Sequence, residues 1–418
     1  MHLTGVFAAG ASLVRHLVSA SDLSRLRRAN VLLVAHDVDR GFRYQGNAYS
    51  PLLDSLGEQL VRLRHNVLSA AKPYSALYGA KAFGAPVSLN REAARASVRR
   101  RLVPSARTDQ EVGLWKRVLD IVQPAAVIGI QPAASLCVAG KHNGIKVADL
   151  QHGVIDPAVY YNLQAAGRYR EEGIPDAVLC WDGYSAQALV RALPHVSTYV
   201  IGNPWLDRFL NPRPEDELIQ SMERLFGQKF AGVPKGVLVS LQWNPDRPAT
   251  IAMPRMVADA LRYLMSSGWT ALIRFHPVQL LATKPETLAR TLDEMLGCVG
   301  HRTWVDASRA PLPLVLRHSR CHITSHSAVA LEAENFGVET GFWSDNPLLE
   351  EWFGGYFEAR LLRRVRPITG ELVRFVEDAA ASAEDRLSKT RRDVPVHAHV
   401  KVQLQQFLEL CSAPPYGV

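Results

Sequence analysis

Three features of the sequence predict an α/β fold built from two Rossmann-like domains. Short apolar runs alternate with amphipathic helical runs along most of the chain, the pattern of strand–helix–strand units around a parallel sheet. The chain has 418 residues, and single cores stop growing at about 250–300 residues. Finally, the layout of Ile130 to Ile145 (strand end, small polar loop with Ser135, helix, Gly144, strand) recurs at Thr324 to Val338, as two copies of one plan.

In order, Asn30 to Val38 reads as a buried parallel strand, followed by a polar loop from Asp37 to Asn47. A helix is predicted from Ser50 to Leu63, with Leu52, Leu53, Leu56, Leu60 and Leu63 at helical spacing. Residues 66–112 carry little pattern beyond a basic helix from Arg91 to Leu102. The rhythm then sharpens: helix Leu114 to Val122, strand Ala125 to Ile130, helix Pro132 to His142 stopped by Asn143-Gly144, and strand Ile145 to Leu150. Strand Ala177 to Cys180, helix Gly183 to Ala192 and strand Thr198 to Ile201 follow. Leu206 to Gly236 shows no strand signal and contains Asn211-Pro-Arg-Pro214, so the domain boundary is placed there.

The second half predicts strand Val237 to Leu241, helix Pro254 to Ser266 and strand Thr270 to Phe275. Helix Pro285 to Leu296, strand Thr303 to Val305 and helix Leu312 to Arg317 come next. Strand Cys321 to Thr324 leads through a polar tip into a helix from Ala328 to Asn335, closed near Gly337. Helices Leu372 to Leu387 and Val400 to Leu410 end the chain. The expected division is 1–205 for an N-terminal acceptor domain, 206–236 for a linker region, 237–370 for a C-terminal nucleotide-donor domain, and 371–418 for closing helices.

Composition is that of an ordinary globular protein, with 47% hydrophobic and 21% charged residues. The net charge of +8 is modest for the length. It gathers at Arg25-Leu-Arg27-Arg28, at Arg99-Arg100-Arg101 and at Leu362-Arg363-Arg364-Val-Arg366, clusters suited to a phosphorylated substrate or an anionic membrane leaflet. No zinc spacing, ribonucleoprotein motif or helix-turn-helix signature accompanies them, so nucleic acid is not an expected partner. The five cysteines are dispersed without a CxxC pair, which suggests a reducing compartment. With no run near the roughly 20 apolar residues of a membrane span, the expectation is a cytoplasmic protein with possible peripheral contact at the inner membrane face.

Three motifs sit at the carboxyl ends of predicted strands, where open parallel sheets bind ligands. Gln151-His152-Gly153 offers a general base beside a glycine that admits close approach. In Arg274-Phe275-His276-Pro277 the proline holds His276 extended, and imidazole and guanidinium suit phosphate oxygens. Ser325-His326-Ser327 joins a strand to a helix N-terminus, where amides and hydroxyls favour an anion; capping alone would also explain the serines.

These motifs, in this order over residues 115 to 345, resemble the GT-B glycosyltransferase superfamily, and within it bacterial surface and capsule polysaccharide enzymes. His152-Gly153 matches the His-Gly motif of CDP-glycerol glycerophosphotransferases. His276-Pro277 and the Ser325/Ser327 loop match motifs shared with sialyl- and Kdo-type transferases. Gln151 stands where the glycerophosphotransferase motif has tryptophan. The resemblance implies two Rossmann-like domains with an interdomain cleft, and a nucleotide-activated donor, CMP- or CDP-linked, held on the second domain. Arg274, His276, Pro277, Ser325, His326, Ser327 and Glu332 are its expected donor-binding residues, joined by Ser240 and Gln242, next to Trp243, in the second domain's first loop. His152 is the expected base for an acceptor hydroxyl, with Asp37 and Asp156 as rivals. Gln151, Gly153, Gly202 and Asn203 are expected to line the cleft. The acceptor would be a glycan or lipid-linked precursor. With no Asp-x-Asp triplet and no metal-spaced ligand set, neither metal nor cofactor is expected. A sugar-nucleotide 2-epimerase of the same build and a non-catalytic glycan-assembly component are the alternatives.

Overall fold

The computed structural model describes residues 14, 17–18, 22–40, 42–44, 47–72, 87–102, 109–155, 171–233, 235–244, 246–247, 249–297, 301–344, 347–357, 362–383 and 397–412. The chain forms two compact units, Met1–Trp205 with Val396–Val418, and Leu206–Pro395.

The first unit holds a seven-stranded parallel sheet of β1 (Val31–His36), β2 (Val67–Lys72), β3 (Val87–Ser88), β4 (Ala126–Gly129), β5 (Lys146–Leu150), β6 (Ala177–Cys180) and β7 (Ser197–Val200). Its spatial order is β3-β2-β1-β4-β5-β6-β7, the doubly wound arrangement whose strand order reverses between β1 and β4. Alternation along β1 sorts the core. Leu32 and Val34 face Trp115, Val118 and Leu136 on one side, while Val31, Leu33 and Ala35 face Leu53, Leu56 and Leu60 on the other. The C-terminal helix His397–Ser412 joins that second face through Leu404, Phe407 and Leu408.

The second unit holds a five-stranded parallel sheet, ordered β9-β8-β10-β11-β12, of β8 (Gly236–Ser240), β9 (Thr270–Arg274), β10 (Ser319–Thr324), β11 (Glu339–Phe342) and β12 (Leu362–Arg364). The reversal lies between β8 and β10. Val237, Val239, Cys321 and Ile323 face one layer of helices, including Arg255–Ser266, Pro285–Leu296 and Thr369–Ala381. Gly236 has no room for a side chain, because an added Cβ would meet the carbonyl oxygen of His318.

Most predicted elements are present, and one is corrected. Thr303 to Val305 is not a strand; it lies inside the helix His301–Arg309. The β-branched pair around Trp304 has local strand character, but tertiary contacts override it. The Trp304 indole N–H donates to the carbonyl of Ala271 at 3.1 Å, and Ser308, one turn on, accepts the Phe275 amide at 3.1 Å. The weakly patterned stretch 66–112 contains β2, β3 and the helix Asn90–Leu102; its residues 73–86 and 103–108 lie outside the described residues. The Leu362–Arg366 cluster is locally neutralised, since Arg363, Arg364 and Arg366 pair with Glu339, Glu350 and Glu371. Cys137, Cys180 and Cys321 are buried free thiols and Cys411 is a partly buried one; Cys298 lies outside the described residues. Among the described residues, no helix is long and apolar enough to cross a membrane.

Candidate functional site

Three loops of the second unit start from the carboxyl ends of adjacent strands β9, β8 and β10. After β9 the chain passes through His276, extended at φ −64° and ψ 143°, into the short helix Pro277–Ala282. His276 caps that helix. Its Nδ1 accepts the Val278 amide at 3.2 Å, and Gln279 Oε1 accepts the His276 amide at 2.8 Å. Because Nδ1 is an acceptor, the neutral ring carries its proton on Nε2, which remains a hydrogen-bond donor. Burial, with neighbouring His326 adding to it, pushes the His276 pKa down to about 4, so the ring is neutral at pH 7.

Trp243, in the loop after β8, stacks on His276 with ring centroids 6.0 Å apart and an interplanar angle of 26°. After β10, Ser325 Oγ and His326 Nδ1 lie 2.7 Å apart, and burial lowers the His326 pKa too. His326 meets Trp352 edge-on at 5.7 Å. Ser327 Oγ accepts the Val329 amide at 3.3 Å, a local bond just ahead of the helix Val329–Glu334, whose N-cap is Ala328. The helix closes at Gly337, whose φ of +67° is the left-handed conformation glycine permits.

Arg274 is anchored inside the unit. Its Nη1 donates to the carbonyls of Ala307 and Ala310, the latter at 2.8 Å. Burial lowers its pKa to about 10, opposed by the charge of Glu332. Glu332 in turn is raised to about 7 by burial, with Arg274 pulling the other way. Desolvation therefore outweighs the attraction, and the carboxyl is about half protonated near neutrality. The Ser240 hydroxyl is buried against His322 Nε2 at 3.0 Å, while Gln242 is half-buried in the loop that carries Trp243.

In the first unit, β5 runs into Gln151-His152-Gly153. Gln151 was expected to line a cleft; instead it is fully buried. Its Nε2 donates to the Gly153 carbonyl at 2.8 Å and to Ser185 Oγ at 2.9 Å, and its Oε1 accepts the Trp181 amide at 2.6 Å. Gln151 is thus a strut that fixes the loop against β6, a role its polarity makes possible and a tryptophan could not fill. His152 is half-buried beside it, and burial lowers its pKa to about 4, leaving an unprotonated imidazole at pH 7. Gly202 has φ +72°, and Asn203 Oδ1 accepts the Trp205 amide at 3.0 Å at the start of the helix Pro204–Leu210. Asp37 opens the 3-10 turn Asp37–Arg40 after β1, and Asp156 lies outside the described residues.

Sequence reading missed His322 and Trp352. A histidine within the apolar run Cys-His-Ile-Thr carries no visible signal of its polar partners, and Trp352 lies 25 residues beyond Ser327. It also missed Asp149, a fully buried carboxylate that accepts the Gln131 amide at 3.0 Å. Among the described residues, no group of His, Cys, Asp and Glu is placed to hold a metal ion.

The chain has two doubly wound, Rossmann-like units, and comparison with solved structures shows the same fold. The chain is similar to UDP-GlcNAc 2-epimerase from Neisseria meningitidis, solved bound to UDP-GlcNAc, with a TM-score of 0.58 and 13% identity over 91% of this chain and 99% of that one. It is similar to the wall teichoic acid polymerase TagF, with a TM-score of 0.55 and 11% identity over 98% of this chain and 94% of the compared one. It is also similar to the glycotransferase of kitacinnamycin, with a TM-score of 0.52 and 15% identity over 91% and 99% of the two chains. No family model matches the chain, and no curated protein does.

Proposed function

We propose that this chain is a nucleotide-sugar enzyme, a glycosyltransferase or glycerophosphotransferase-like enzyme that holds an activated donor on its second unit. The observation that carries the reading is the gathering of His276, Trp243 and the Ser325–His326 pair at the carboxyl ends of three adjacent strands, beside the strand-order reversal. The Nε2–H of His276 is a pre-set neutral donor for a phosphate oxygen. Hydrogen bonds from it and from Ser325 would strengthen as negative charge grows on the departing nucleotide phosphate. Arg274 and Glu332 stand behind this edge, and a carboxyl poised near neutrality suits a ribose hydroxyl as donor or acceptor.

His152 is the proposed base toward an acceptor hydroxyl. Its unprotonated state fits the role, although a pKa of about 4 makes it a weak base until an anionic substrate raises it. The proposed donor is CMP- or CDP-linked and the proposed product a bacterial surface polysaccharide, a reading supported by the motif resemblance and by the likeness to the teichoic acid polymerase. The second reading is a nucleotide-sugar 2-epimerase, supported by the likeness to the Neisseria enzyme over nearly its whole length.

Turnover of nucleotide sugars, with and without acceptor glycans, separates the readings. Acceptor-dependent release of nucleotide supports transfer. Isomerisation of UDP-GlcNAc without acceptor supports the epimerase. Nucleotide binding without either reaction leaves a non-catalytic assembly component and refutes the enzyme.

A further inference from the structure

His322 is a histidine that neither the motifs nor the proposed chemistry uses, and both of its ring nitrogens have buried partners. It lies in the middle of β10 with no exposed surface, on the sheet face opposite Cys321 and Ile323. Nδ1 is 3.0 Å from Thr340 Oγ1 on β11, and Nε2 is 3.0 Å from Ser240 Oγ on β8. One ring therefore ties three neighbouring strands, two residues before β10 and β11 end and at the last residue of β8. A second bond, from Thr324 Oγ1 on the same strand as His322 to the Ser240 carbonyl at 2.8 Å, holds the same residue by its backbone.

Ser240 is the last residue of β8. Three positions later the chain presents Trp243, which stacks on His276. A buried polar ring joining side chains across strands is costly unless both nitrogens are satisfied, so such a group fixes one arrangement and disfavours slipped ones. An apolar side chain here would fill the same volume without choosing a height for Ser240. We infer that His322 is a positioning residue for the donor site, setting the Trp243–His276 stack through its hydrogen bond to Ser240. This rests on the reading of that edge as the donor site, but its structural content does not.

Two amide substitutions divide the ring's bonds. The Asn amide of His322→Asn overlays Nδ1 and keeps the Thr340 contact, while the longer Gln amide of His322→Gln reaches the Nε2 position and keeps the Ser240 contact. If His322 acts through Ser240, the two variants differ at the site even where they are equally stable. CDP and UDP are the probes, titrated calorimetrically into the full chain. His322→Gln is expected to bind within about threefold of the parent, and His322→Asn about tenfold more weakly.

The ¹⁵N–¹H correlation of the His276 imidazole supplies a readout that needs no ligand. Its shifts are expected to be retained in His322→Gln and displaced in His322→Asn. Equal affinities and equal His276 shifts in the two folded variants overturn the inference. If the parent binds neither nucleotide, the donor reading fails, and the His276 shifts alone decide the positioning role. If one variant does not fold, Ser240→Ala serves instead, because it removes the same contact and leaves His322 in place. Its His276 shifts are expected to be displaced, and unmoved shifts overturn the inference.

Discussion

Replacing Gln151 by leucine removes three hydrogen bonds from a fully buried position with little change in volume. The lost partners are the Trp181 amide, the Ser185 hydroxyl and the Gly153 carbonyl, at 2.6, 2.9 and 2.8 Å. A buried hydrogen bond contributes about 1 kcal/mol net, and a buried group stripped of its partner costs about 1–3 kcal/mol. Three such losses, two of them at backbone groups, set the expected destabilisation of the first unit at about 3–5 kcal/mol. Because the two units need not unfold together, the assay is native-state amide exchange of Val178 to Trp181, alongside urea unfolding followed by circular dichroism. Gln151→Glu sharpens the test. Its carboxylate still accepts the Trp181 amide, but faces the Gly153 carbonyl with a second acceptor, so it should be worse at pH 8 than at pH 5, where a proton restores the donor. A loss below about 0.5 kcal/mol for Gln151→Leu would refute the strut, because that is within the range of an ordinary surface substitution.

Two other predictions concern the second unit. Arg208 and Asp216 form a buried bidentate pair, with Nε to Oδ2 at 2.8 Å and Nη2 to Oδ1 at 2.6 Å, so Asp216→Ala takes both of these charge-assisted bonds from a buried guanidinium and should cost about 3–5 kcal/mol by urea unfolding. A cost below 1 kcal/mol, in the range of exposed pairs, would contradict that picture. Glu332 has its pKa raised to about 7, which means the folded state holds the proton more tightly than the unfolded chain. Its contribution to stability is therefore fully present below the ordinary carboxyl value near 4.5 and is lost as pH rises to 7. Glu332→Gln should stabilise the unit at pH 8 relative to the parent by about 1–3 kcal/mol, and by much less at pH 4.5. An equal effect at both values would show that the carboxyl is not desolvated.

The elements legible in the sequence were those whose burial is written in a continuous apolar run or a strict helical period. Val31 to His36, Lys146 to Leu150 and Ala177 to Cys180 are of this kind, each bounded by glycine, proline or a polar loop. Val67–Lys72 was not legible, although it pairs with β1 along its whole length, because Ser69, Ala70 and Ala71 break the run of large apolar side chains that marks a buried strand. Thr303 to Val305 misled for the opposite reason: strong strand propensity lost to the packing of Trp304 on β9.

At the site, His276 was readable because proline fixes the backbone around it, and the Ser325–His326–Ser327 tip because it follows a strand end. The struts were not. Gln151 finds its partners 30 and 34 residues away, and His322 finds Ser240 82 residues away. Long-range hydrogen bonds leave no periodic trace. The same holds for Arg363, Arg364 and Arg366, a basic run whose compensating carboxylates are dispersed over three separate elements.

The central claim is that the edge formed by Trp243, His276 and Ser325–His326 holds a donor phosphate. Calorimetric titration of CMP, CDP, UDP and GDP into the parent chain and into His276→Ala tests it most directly. One hydrogen bond to a charged phosphate is worth about 1.5–3 kcal/mol, or roughly tenfold to a hundredfold in affinity. The account predicts that at least one of the four nucleotides binds the parent and binds His276→Ala at least about tenfold more weakly. Failure of all four to bind, or equal affinity for parent and variant, would contradict it.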